Sequence, residues 1–187
     1  CGSVPRVIDL ETKRASDRAI IVGIDPGPLE SAAVAVVFYK DGKVEVLEHA
    51  IAPNTSVLKS IERVINTIVL ERVWVAVEVP HSMGMPIGNE VLETAYWAGF
   101  FAGKLASLTE SRYGVSGVKQ YKRWMVKRNL CGTVRANDSA IRAKMIELYG
   151  PVGTSKEPGP LYGLKNDEWQ ALAVASCMAQ DILKASE

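Results

Sequence analysis

Three apolar segments of the chain carry acids in places where burying an acid is unfavourable. IIVGID ends on Asp25, VAVEV holds Glu78 between valines, and NDEWQALAVA sets Asp167 and Glu168 ahead of an alanine-rich run. Singly, most have an ordinary explanation. Asp25 before Pro26-Gly27-Pro28 starts a turn, and Asp167 is a first-turn acid of the kind the helix dipole favours. Glu78 is harder to account for, because an ionised carboxylate among valines is strongly disfavoured unless it is paired or bound to a metal. Brought to one place, such acids repel and raise one another's pKa unless a divalent cation sits among them. Their hard oxygens suit Mg²⁺, with Mn²⁺ as a substitute. Two such ions roughly 4 Å apart can activate a water on one and stabilise a leaving oxygen on the other. Asp25, fixed at a strand tip, is expected to bridge the ions, with Glu78 on one and Asp167 on the other.

These positions need elements to hold them. Residues 19–24 read as a buried strand, 31–39 as a second β-branched strand, and VEVLEHA from 44 as a third with one wet face. Asp41-Gly42 between the last two is a hairpin signal. Apolar residues at helical spacing predict a helix from Pro53 to about Leu70, capped by Thr55 or Ser56. A buried strand at 72–79, a long helix over 88–110 and a short strand in YGVSGV follow. Two helices are predicted over roughly 120–130 and 136–149, then a mobile Gly/Pro-rich loop over 150–165, then a helix from about Asn166 to Lys184. This order predicts an α/β fold: a mixed five-stranded sheet, three antiparallel strands first, flanked by helices. If the first and fourth strands are neighbours, Asp25 and Glu78 meet at one sheet edge.

The 187 residues suit a single domain over 19–187, preceded by a loosely ordered arm over 1–18. Apolar residues at 48% argue against disorder, and a formal charge of +1 neither requires nor excludes a nucleic-acid partner. Cys1, Cys131 and Cys177 lie far apart without C-x-x-C spacing, which argues against a zinc site or disulfide framework and points to a reducing cytoplasm. No stretch reaches the ~18 apolar residues of a membrane span. The basic stretch KQYKRWMVKR (119–128) interleaves Lys122, Arg123, Lys127 and Arg128 with Tyr121 and Trp124. It fits either phosphate contact and base stacking or an amphipathic helix with a solvated face, and its position tips the balance towards DNA. His81 reads as a loop residue rather than a ligand. The helix bearing Trp97, Phe100 and Phe101 reads as core or dimer contact.

GIDPG closing the first strand, VAVE in the fourth and NDEWQALAVA opening the last helix, in that order and spacing, resemble the RuvC-type Holliday-junction resolvases of the RNase H-like nuclease superfamily. The likeness continues through MVKRNLCG and ANDSAIRAKMIELYG and spans roughly residues 19–184. The loop PHSMGMPIGNEVLET is similar to resolvase-like proteins of phages. The resemblance implies an RNase H-like fold and Mg²⁺-dependent phosphodiester cleavage. It also implies a homodimer that nicks a four-way DNA junction symmetrically, in a bacterial or phage-infected cell. Asp25, Glu78 and Asp167 match the family's first three carboxylates, and Lys127 its basic residue near the scissile strand. The fourth carboxylate is replaced by Gln170: either Glu168 substitutes as a ligand from the same helical turn, or the amide suffices, or metal affinity is reduced. The family's second lysine falls at Asp138, leaving Arg135 and Arg142 as candidate phosphate contacts, and the family's aromatic after Glu78 is missing from VPHSMGM. Three other readings remain: a nuclease of the same fold acting on other branched DNA or RNA–DNA hybrids, a DNA-binding relative with weak catalysis, and, further off, an actin-like phosphotransferase fragment.

Overall fold

The computed structural model describes residues 17–68, 73–81, 84, 86–108 and 115–184. The arm expected over 1–18 lies outside these apart from Asp17 and Arg18, and Arg18 is already strand, paired with Tyr39. Strands β1 (Arg18–Asp25), β2 (Glu30–Tyr39) and β3 (Val44–Pro53) are followed by helix α1 (Asn54–Thr67), strand β4 (Val73–Val79) and helix α2 (Asn89–Ala106). Strand β5 (Val115–Lys122) and helices α3 (Arg123–Cys131), α4 (Asp138–Tyr149) and α5 (Glu168–Lys184) complete the described chain. The sheet order is β3-β2-β1-β4-β5. The first three strands are antiparallel, while β4 runs parallel to β1 and β5 parallel to β4. This is the mixed α/β sheet that the order of segments predicts. Among the described residues no helix is long and apolar enough to cross a membrane.

Covered on both faces, β1 is buried and uncharged from Ala19 to Ile24 rather than alternating, as a central strand should be. Ile20, Val22 and Ile24, with Val73, Val75 and Val77, pack towards Val57 and Ile61 of α1 and Phe101 and Leu105 of α2. Ile21 and Ala76 face the other way, into a core built with Ile141, Met145 and Leu172 from α4 and α5. Side chains alternate along a strand, so Asp25 and Glu78 fall on this second face, below the start of α5.

Gly23 lets α5 come that close. A Cβ there would lie 1.9 Å from the Ala171 carbonyl oxygen and 2.9 Å from the Ala175 Cβ. Gly23→Ala is therefore expected to push α5 off β1 and lower stability by roughly 3 kcal/mol, about 6–12 °C in Tm. A melt within 2 °C of wild type would show that α5 is not held where it is described.

Three expectations change. The basic stretch is strand up to Lys122 and helix only from Arg123, because Tyr121 is buried and β5 pairs with β4 as far as Val79↔Lys122. Neither Thr55 nor Ser56 caps α1. Pro53 takes the N-cap position, the helix starts at Asn54, and it has no side-chain cap. The segment 150–165, expected as a mobile loop, is anchored to the core at its C-terminal end. Leu161 and Leu164 are buried in the core, and the Gly159 N–H donates to the Val152 carbonyl at 2.9 Å.

Candidate active site

The turn after β1 is pinned by its own polar groups. Gly27 N–H donates to Ser31 Oγ (3.3 Å), Ser31 Oγ donates to Asn54 Oδ1 (2.5 Å), and Asn54 Nδ2 donates back to the Gly27 carbonyl (3.2 Å). Gly27 itself leaves no space for a side chain, since a Cβ would meet the Glu30 carbonyl oxygen at 2.3 Å. Pro26-Gly27-Pro28 thus reverses the chain tightly and leaves Asp25 at the strand tip.

Beside it stands Glu78. The parallel register ends Ile24↔Val77, so the next residues on the two strands are Asp25 and Glu78. Glu78 is only 4% exposed. Its Oε1 accepts from Arg123 Nη1 at 3.3 Å, while its buried Oε2 has no hydrogen-bond partner. Burial drives its pKa up to about 7 against the attraction of Arg123 and Lys127, with Asp138 adding a smaller upward push. Asp25 is half-buried. Its carboxyl is held well above the usual range, first by burial and then by Glu78. Arg123 opposes the rise, and Asp167 and Asp138 add to it. Asp25, Glu78, Asp138 and Asp167 therefore share one electrostatic neighbourhood.

Asp167 is exposed in the turn ahead of α5, where its main-chain carbonyl accepts from the N–H groups of Gln170 and Ala171, both at 3.0 Å. The structure places Glu168 elsewhere. Its Oε1 lies 2.8 Å from His49 Nδ1, and its Oε2 accepts from the Lys165 N–H at 2.7 Å. Both oxygens are engaged in fastening the start of α5 to β3, so Glu168 does not join Asp25 and Glu78. Gln170 is buried.

A cleft of about 240 Å³ opens over the strand tips, lined by Asp25, Glu78, His81, Arg123, Trp124 and Lys127, with Val91 and Thr94 of α2 closing one side. The His81 and Trp124 rings lie 6.4 Å apart. Of the six cations expected to touch DNA, Arg123 and Lys127 line this cleft. Lys122 and Arg128 are exposed at the end of β5 and on α3, Arg135 is exposed between α3 and α4, and Arg142 lies over the Trp169 ring at 5.0 Å. Asp138, which stands where a lysine was expected, accepts from Arg123 Nη2 at 3.1 Å. Its membership of the site has no signal in the sequence. As the side chains stand, no three His, Cys, Asp or Glu among the described residues are gathered closely enough to hold an ion.

No family model matches the sequence, and no curated protein matches it. Solved structures do. Thermus thermophilus RuvC in complex with a Holliday junction substrate superposes with a TM-score of 0.64 at 20% identity, covering 90% of this chain and 97% of that one. A second Thermus thermophilus RuvC structure gives 0.56 at 21% identity, with 90% and 94% covered. A yeast mitochondrial Holliday junction resolvase gives 0.49 at 14% identity, with 89% and 82% covered. The chain has the RuvC-type, RNase H-like fold that the resemblance implies.

Proposed function

We propose that the chain is a divalent-metal-dependent endonuclease that cuts four-way DNA junctions by phosphodiester hydrolysis. The observation that carries this reading is Glu78: a buried carboxylate with one unpartnered oxygen, beside a second raised acid, at the floor of a cleft that also presents cations. The donor set fits a hard divalent ion, because an orphaned buried oxygen is otherwise unfavourable and every candidate ligand is a carboxylate. Asp25, Glu78 and Asp167 would hold Mg²⁺ or Mn²⁺. When bound, the metal supplies acidity to a water and charge stabilisation to the leaving oxygen.

The chain's own side chains do the rest. The pinned β1 turn holds Asp25 in place against the phosphate. Lys127 and the surface cations from Lys122 to Arg142 draw in the DNA backbone, a term that weakens as salt rises. Trp124 and His81 offer ring faces beside the acids on which a base or sugar can rest. The fold shared with a RuvC solved on a Holliday junction substrate favours four-way over linear DNA. Symmetric cutting needs two sites. Leu92, Tyr96 and Phe100 form an exposed apolar stripe along α2, and this face supports pairing with a second copy of the chain.

The test is cleavage of a labelled immobile four-way junction beside a matched linear duplex, in Mg²⁺ or EDTA. Paired symmetric nicks confined to the junction and lost in EDTA are expected. Tight binding without cutting would assign the chain to DNA-binding relatives with weak catalysis, consistent with Gln170. Unpaired nicks would count against the second copy, and no preference for the junction would sink the reading.

A further inference from the structure

We propose that Arg123 is the resident counter-cation of the unloaded acid pair, and that Asp138 is the seat to which it withdraws when a divalent ion enters. The inference rests on the metal site proposed above.

Arg123 is the first residue of α3, directly after β5, and Tyr121 of β5 is level with Glu78 across the sheet. That brief step from strand to helix carries its side chain over the Glu78 carboxylate. One guanidinium fork serves two acids: Nη1 donates to Glu78 Oε1 at 3.3 Å and Nη2 to Asp138 Oδ1 at 3.1 Å. The Glu78 contact is the longer and lies beyond the usual range for N–H···O. It leaves Oε2 with nothing, so the guanidinium compensates the charge without completing the site. The Arg123 side chain is 42% exposed and that of Asp138 is 68% exposed. Movement towards Asp138 therefore follows a path open to water.

Asp138 opens α4 one residue after its cap, Asn137, whose side chain accepts from the Ala140 N–H at 2.9 Å. The seat is thus mounted on a fixed helix end, and a carboxylate there can take both guanidinium nitrogens. In this arrangement an ion that reaches Glu78 meets a positive charge already beside it. Arg123, once withdrawn, stays at the rim of the cleft, where an incoming phosphate would meet it.

The test is Mn²⁺ binding to the full chain at pH 7.5, followed by the EPR signal of free Mn²⁺, with no DNA present. Arg123→Gln is expected to tighten binding about tenfold, since a cation no longer competes for Glu78. Asp138→Asn is expected to weaken it several-fold, because Arg123 then has only Glu78 to pair with. The double variant should match Arg123→Gln, and melting curves confirm folding, with Arg123→Met replacing the glutamine variant if that one is unstable. Unchanged or weaker binding in Arg123→Gln would overturn the proposal. So would a loss from Asp138→Asn that persists without Arg123, which would make Asp138 a direct ligand. Asp25→Asn separates the two levels: if it binds Mn²⁺ as well as wild type, the metal site itself is wrong.

Discussion

Asp25→Asn is expected to cut junction cleavage by at least ~10³-fold, on the order of 4 kcal/mol of transition-state stabilisation, while leaving binding of the intact junction within a few-fold of wild type. The amide keeps the shape of the side chain and the turn behind it, where Gly27, Ser31 and Asn54 hold one another. What disappears is the charge at the tip of the central strand, where β1 meets Glu78 on β4 and lies within the influence of Asp167. The cations proposed to contact DNA are untouched, so binding and cutting should separate. Single-turnover cleavage and a gel-shift titration at matched salt measure the two. Cleavage within tenfold of wild type would remove Asp25 from the chemistry, and parallel loss of binding would mean that it shapes the cleft rather than serving the reaction.

Glu78→Gln should abolish cleavage and also stabilise the metal-free fold at pH 8 by roughly 5–10 °C in Tm. The folded chain holds the Glu78 proton up to about pH 7, against an ordinary 4.5. A raised folded-state pKa means that the native state binds more protons than the unfolded chain between those values. Its stabilising effect is fully present below about pH 4.5 and is lost as pH rises through 7. The shift corresponds to on the order of 3 kcal/mol, and Asp25, raised for the same first reason, adds in the same direction. In EDTA the wild-type Tm should therefore fall between pH 5 and pH 8, and Mg²⁺ should restore much of it at the upper end. The glutamine variant should show a shallower fall and no Mg²⁺ effect. A flat wild-type profile, or a variant that melts below wild type at pH 8, would show that Glu78 is well accommodated as an anion.

The sheet was legible because its strands obey simple rules. The doubly covered strands β1, β2 and β4 read as apolar runs, β3 alternates, and the Asp-Gly turn marks the hairpin. The same rules expose Asp25 and Glu78 as acids out of place. The far side of the site was less legible. Reading 120–130 as a helix hid the step at Lys122–Arg123, and that step decides where the Arg123 guanidinium goes. The two Arg123 ion pairs span 45 and 15 positions, and no local pattern announces either. Asp138 looked like the loss of a lysine, yet its place is that of Arg123's second partner. Glu168 shared a helical turn with Asp167 and so looked like a ligand, but His49, 119 residues away, takes one of its oxygens. Two leucines anchor to the core a Gly/Pro-rich segment that composition alone marks as mobile.

The close seating of α5 on Gly23 has a consequence for the order of events in folding. Asp25 comes from the first strand and Asp167 from the turn before the last helix, with the β1–β4 pairing and the α5 contact both joining parts of the chain that are distant in sequence. Contacts of such long separation form late, because loop closure must precede them. The hydrolytic competence proposed above should therefore appear only with the final cooperative step of folding, after the sheet has closed and α5 has docked. An incompletely folded chain would carry two acids without the third, and on the function proposed above it would leave DNA uncut.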